Sequence, residues 1–196
     1  MPTISTADIQ TLRRQTGVGI LEAKKALTTA NGDMTLAVDT LRKAGRKLAA
    51  AKSTRTVREG LIGTYLHANG KVAAMVVLAC ETDFVARTDD FAALAHDLAL
   101  HVAAVDPRYL RREDVPVAVL DRERDIYRAQ LKTAGQPKKM WPAIINGQLE
   151  KFYADVCLLD QAYVKDDRRT VGQLIESTVA KLGENIQVSS FARLTV

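Results

Sequence analysis

The chain has few cysteines, prolines, glycines and aromatics, and no long apolar run. Its two cysteines, Cys80 and Cys157, lie far apart with no Cys-x-x-Cys pair, which excludes a disulfide-stapled fold and a cysteine zinc site. Reduced, packed thiols are expected instead. Eleven glycines and five prolines among 196 residues fall below the usual combined share of about 12%. With aromatics at only 5%, the apolar content rests on Ala, Leu and Val, and helices should dominate. The longest apolar stretch, Val72 to Cys80, is far too short to span a bilayer, and the opening MPTISTADIQ lacks the basic-then-apolar layout of a signal peptide. A cytoplasmic protein with no membrane contact is expected. Charge is nearly balanced: 28 basic against 23 acidic side chains leave +5, which permits an acidic partner without demanding nucleic acid.

What is present is a globular composition, 47% apolar and 26% charged, in a length that suits one to two domains. Ser5 and Asp8 have capping-box spacing and start a first helix, which the turn Thr16-Gly17-Val18-Gly19 ends. A second helix follows from Ile20, with Ile20, Ala23 and Leu27 on one face, and Asn31-Gly32 stops it. Asp33 caps a third helix, in which Met34, Ala37, Val38 and Leu41 keep the i, i+3, i+4, i+7 rule and Gly45 closes the run. Three short helices with tight turns make a small bundle. From Arg42 to Arg58 come Arg42, Lys43, Arg46, Lys47, Lys52, Arg55 and Arg58 with no acid before Glu59, a pattern that reads as a solvated helix extension or linker.

The composition changes at Gly60. Leu61–Leu66 and Val72–Ala79 are strand-like runs around the turn formers Asn69-Gly70, which makes a hairpin. The second strand is apolar on both faces, so it should be central and covered by helices on at least one face. It delivers Cys80-Glu81-Thr82-Asp83-Phe84-Val85 to a rim. Phe91, Leu94, Ala95, Leu98, Val102 and Val105 then keep helical spacing until Asp106-Pro107. Further helices are predicted over about 117–134, 141–157 and 171–182, and Ile186–Val196 alternates as a third strand. The fold class is α+β: helices packed on a small sheet.

Covalent chemistry finds little support. Gly17 and Gly19 sit between two helices with no following Lys-Ser or Lys-Thr, unlike a phosphate-binding loop. His96 and His101 are five residues apart, on different sides of a helix, and with His67 they read as surface histidines rather than metal ligands. Cys80 lacks a base nearby in sequence; only folding of His67 across the hairpin would supply one. The pairs Asp89-Asp90 and Asp166-Asp167 read as acids stabilising helix N-termini. Asp83-Phe84 remains: an exposed aromatic would anchor a protein partner, while spacing alone favours Phe84 packing inward at a helix start.

Three blocks carry a family resemblance. The first is Leu12-Arg13, Thr16-Gly17-Val18-Gly19 and Glu22-Ala23-Lys24-Lys25-Ala26-Leu27, with Ala30-Asn31-Gly32-Asp33 and Leu41-Arg42-Lys43 behind it. The second is Thr82-Asp83-Phe84-Val85-Ala86-Arg87. The third runs from Leu158-Leu159 and Gln161 into Tyr163-Val164-Lys165-Asp166, with Gly183-Glu184-Asn185-Ile186 later. In this order, over the whole chain, they resemble the bacterial elongation factor Ts family, in its shorter form with one half of the core duplication missing. Tyr163 stands where many relatives carry phenylalanine.

The resemblance implies a ubiquitin-associated-like three-helix domain over residues 1–52, a basic linker over 53–59, and an α+β core with an antiparallel three-stranded sheet over 60–196. It implies binding to the GDP form of elongation factor Tu and release of the nucleotide, with no cofactor, no metal and no covalent step. Thr82, Asp83, Phe84 and Val85 match the segment that pushes toward the partner's magnesium site; Arg13, Ile20 and Leu21 match positions that grip a helix of its GTPase domain. With one core copy, a homodimer through a sheet edge is expected to supply the missing half. The rival reading is an RNA- or ribosome-binding protein using residues 42–58, although that stretch lacks aromatics for base stacking. A cysteine enzyme built on Cys80 is a third.

Overall fold

The computed structural model describes residues 4–196. Ser5 opens α1 (Thr6–Thr16) with the predicted capping box: its hydroxyl accepts the Asp8 N–H and the Asp8 carboxylate accepts the Ser5 N–H, both at 3.1 Å. Gly17, at φ +72°, ends the helix in a left-handed conformation. α2 (Ile20–Thr29) and α3 (Met34–Lys52) follow, the latter capped by Asp33 accepting from the Leu36 N–H. The three helices close on Leu12, Ala23, Ala26, Leu27, Ala30 and Ala37, all buried. Of the three apolar residues on one face of α2, Ala23 and Leu27 are buried and Ile20, in the first turn, is exposed.

α3 does not stop at Gly45. A mid-helix glycine costs about 1 kcal/mol relative to alanine, which the rest of this 19-residue helix absorbs. A Cβ at position 45 would stand 3.5 Å from the Ala180 methyl, an ordinary van der Waals contact, so packing does not demand the glycine and α3 simply runs through it to Lys52.

β1 (Glu59–Leu66) and β2 (Val72–Cys80) form the predicted hairpin. Gly70 turns at φ +68°, and the Asn69 side chain accepts the Lys71 N–H at 2.9 Å. Next come α4 (Asp83–Ala86), α5 (Asp89–Val105), α6 (Val117–Thr133) and α7 (Trp141–Val156). β3 (Ala162–Tyr163), β4 (Asp166–Thr170), α8 (Val171–Leu182) and β5 (Ile186–Thr195) complete the chain. The antiparallel sheet has the order β1-β2-β5, so the all-apolar strand is central, as its composition requires.

Packing divides the chain into two compact units. One comprises the chain up to Ile62 with Val77–Ala95 and Gln173–Ser189. Here Phe91, Leu94, Ile175 and Val179 are buried, and the Lys181 ammonium meets the Asp90 carboxylate at 2.6 Å. The basic run is only partly a solvated face. Lys52 is buried and its ammonium donates to the Gly183 carbonyl, Arg46 reaches Glu176 at 3.9 Å and Arg55 reaches Glu81 at 3.6 Å.

The second unit comprises Gly63–Val76, His96–Gly172 and Ser190–Val196. α6 and α7 form a helical hairpin over a small core of Val115, Val156 and Cys157. Arg112 ties it down, bonding Glu150 and Asp160 at 2.8–2.9 Å with its guanidinium over the Tyr153 ring. The β3–β4 hairpin was not predicted, because a two-residue strand opposite Asp-Asp-Arg-Arg-Thr carries no apolar alternation. It is held through Tyr163, whose phenol donates to Asp97 at 2.8 Å. Asp166 opens β4, not a helix, and pairs with Arg168 and Arg169.

His101 corrects the surface reading of the histidines: it is fully buried. Its Nδ1 accepts the Val164 N–H at 3.2 Å, which leaves the ring proton on Nε2 to be donated to Gln161 Oε1 at 3.0 Å. Burial pushes its pKa below the usual histidine value, against the opposing effect of the Gln161 bond. Among the described residues no helix is long and apolar enough to cross a membrane.

Candidate functional site

The rim after β2 is built by a change of direction. β2 ends at buried Cys80, whose thiol donates to the Thr82 carbonyl at 3.1 Å. The chain then turns into the four-residue helix α4. Thr82 is its N-cap, yet its hydroxyl makes no capping bond and instead donates to Glu184 Oε1 at 2.6 Å. The other oxygen of Glu184 accepts the N–H groups of Glu81 and Thr82 at 3.1 and 3.0 Å. One carboxylate thus fixes two successive peptides and a hydroxyl through charge-assisted bonds.

The return contact is equally direct. Glu81 Oε1 accepts the Asn185 N–H at 2.7 Å. Asn185 and Gln187 donate side-chain N–H bonds to the carbonyls of Arg55 and Ser53 at 2.8 and 3.0 Å, closing the end of α3. The corner Gly183-Glu184-Asn185 therefore holds the rim on one side and the third helix on the other. Glu184, Glu81 and Asn185 were given no role from the sequence; the signals were Glu81 within the Cys80–Val85 rim segment and Gly183-Glu184-Asn185-Ile186 as an unassigned block.

On this base, Asp83 and Val85 are half-buried, whereas Phe84 is 79% exposed. The inward packing that spacing favoured does not occur, because the helical face of α5 begins only at Phe91. Thr88 separates the two, accepting the Phe91 N–H and starting the new helix. Asp83 meets Arg87 one turn on at 2.8 Å. The rim thus offers one bare aromatic ring beside a carboxylate whose partner is itself solvated.

The other sequence-predicted residues lie around the Gly17–Gly19 turn. Arg13 is exposed in the last turn of α1, and Ile20 and Leu21, 58% and 83% exposed, begin α2. Two uncovered aliphatic side chains with an arginine alongside suit a protein contact.

Neither thiol is poised for nucleophilic work. Burial, then the Glu184 carboxylate, raises the Cys80 pKa, and burial pushes Cys157 to about 11. Among the described residues no three His, Cys, Asp or Glu side chains gather as a metal site.

The family described as Elongation factor TS matches residues 7–196. Elongation factor Ts of Geobacter sulfurreducens is 47% identical over 193 residues, covering 98% of this chain and 89% of its own. That of Fervidobacterium nodosum is 48% identical, covering 98% of both chains. That of Moorella thermoacetica is 49% identical, covering 98% of this chain and 95% of its own. With near-complete coverage in both directions, this chain belongs to the elongation factor Ts family of bacterial translation elongation factors.

Proposed function

We propose that this chain is a guanine-nucleotide exchange factor that binds elongation factor Tu in its GDP form and promotes GDP release. Phe84 carries the reading: a bare ring, on a backbone that is hydrogen-bonded in place, inside the Thr82–Val85 block that resembles the family's inserting segment. Residues 1–52 act as the grip, with Arg13, Ile20 and Leu21 on a helix of the GTPase domain. Residues 53–59 link them to the α+β core at 60–196.

A P-loop GTPase holds GDP through its phosphate loop and a magnesium ion, so disturbing the ion's surroundings removes much of the binding free energy. Phe84 is the wedge. Asp83 exchanges its exposed Arg87 pair, worth about 0.5 kcal/mol, for a hydrogen bond to the displaced partner. No bond is made or broken, so the protein is not an enzyme in the covalent sense. Linkage makes GDP and the factor weaken one another by the same multiple. The intermediate is a nucleotide-free complex, which abundant GTP dissolves by mass action.

A second copy of the chain is inferred at the sheet edge. β1 and β5 are the outer strands, and Leu66 and Leu194 on them stand exposed. RNA binding through residues 42–58 has less support, since Lys52 is buried and Arg46 and Arg55 have acidic neighbours.

The test is release of a fluorescent GDP analogue from elongation factor Tu by stopped flow. The intact chain accelerates it, and the folded double variant Asp83→Ala/Phe84→Ala does not. No acceleration at any concentration of the intact chain would sink the exchange reading and bring the basic segment forward.

A further inference from the structure

We infer that Glu184, opposite Glu81, is the positioning residue that makes the Phe84 wedge effective. This rests on the exchange reading of the rim. A four-residue helix does not hold itself in water, and α4 has no side-chain N-cap bond. Its entry is fixed from outside by the three bonds to the Glu184 carboxylate, at 3.1, 3.0 and 2.6 Å.

The anchor is itself anchored. Gly183 takes the buried Lys52 ammonium on its carbonyl, and Asn185 gives its N–H to Glu81 and its side chain to the carbonyl of Arg55. Backbone, carboxylate and amide are thus paired reciprocally across two chain segments. A wedge works only if its ring is delivered in one direction. Any freedom at Thr82 would be lost as entropy on docking, at the expense of pressure on the partner. Glu184 touches neither the partner nor the nucleotide in this scheme; it acts through the backbone of Thr82.

Glu184→Gln keeps the size but turns one acceptor into an NH2 group facing donors, and it removes the charge. Stopped-flow GDP release from elongation factor Tu is measured with the intact chain, Glu184→Gln, Phe84→Ala and the double variant. The maximal rate falls about tenfold with Glu184→Gln, as expected for losing at least one charge-assisted bond, with the half-saturating concentration changed by less than about twofold. In the Phe84→Ala background the same substitution changes the rate by less than about twofold, because there is no ring left to position. An equal loss in both backgrounds, or no loss in either, overturns the assignment.

A second readout needs no partner. Amide hydrogen exchange at Glu81 and Thr82 speeds up in Glu184→Gln while the amides of α5 keep their protection; unchanged exchange at both positions overturns the positioning role. If the intact chain fails to accelerate GDP release, the exchange reading fails and this readout still decides whether Glu184 holds the rim. Should Glu184→Gln not fold, Thr82→Val, which deletes the hydroxyl bond alone, enters the same cycle.

Discussion

Phe84 and Phe91 lie seven residues apart and differ only in surroundings, so truncating each to alanine separates docking from folding. Phe84 is 79% exposed. About one fifth of a phenylalanine's roughly 200 Å² is therefore withdrawn from water, and Phe84→Ala costs about 1 kcal/mol of stability at most. Phe91 is fully buried, and Phe91→Ala costs about 3–5 kcal/mol, because a cavity is left under α5. Against the partner the order reverses. Covering the remaining area of about 160 Å² contributes up to about 4 kcal/mol, nearly a thousandfold in affinity for nucleotide-free elongation factor Tu. Urea unfolding followed by far-ultraviolet circular dichroism gives the first pair of numbers, and equilibrium titration of the nucleotide-free partner gives the second. An unfolding midpoint for Phe84→Ala as low as that of Phe91→Ala would refute the exposed placement. Unchanged affinity with Phe84→Ala would refute its role as an anchor.

Stability should fall below about pH 6.5 through His101. Its folded pKa is lowered, so the unfolded chain binds the proton first and stability declines from the unfolded value down to the folded one, then levels off. Thermal unfolding between pH 7.5 and 5 measures this, and the decline attributable to this site should vanish in His101→Gln if that variant folds. Gly60→Ala should destabilise by more than about 3 kcal/mol, since a Cβ there would lie 2.1 Å from the Leu78 carbonyl oxygen at φ +154°; a urea midpoint equal to the parent's would contradict the strand geometry. Neutralising Arg42, Lys43 and Lys47 together should leave GDP release within about twofold and RNA retention in a filter assay at background; salt-dependent RNA binding lost in that variant would favour the rival reading.

Features governed by near neighbours were legible in the sequence. Ser5 and Asp8, Asp33, Asn69-Gly70 and the all-apolar β2 each carry their own physical reason, and each stands where that reason puts it. The misreadings share a different cause. Gly45 reads as a stop, yet α3 runs through it to Lys52, and Lys52 reads as solvated although the Gly183 carbonyl, 131 residues away, takes its ammonium. His101 has its partner 60 residues on. Thr82 has the residue type of an N-cap, and nothing nearby reveals that its hydroxyl goes to a carboxylate 102 residues later. Periodicity reads which side of an element meets a core, so it handled the long helices and failed at Phe84, where α4 is too short to have a face. Resemblance supplied Thr82–Val85 and Gly183–Ile186 as separate blocks without relating them. The bonds from Glu184 to Glu81 and Thr82 join the two, which is why perturbing Glu184 tests the rim more sharply than its position in the sequence would suggest.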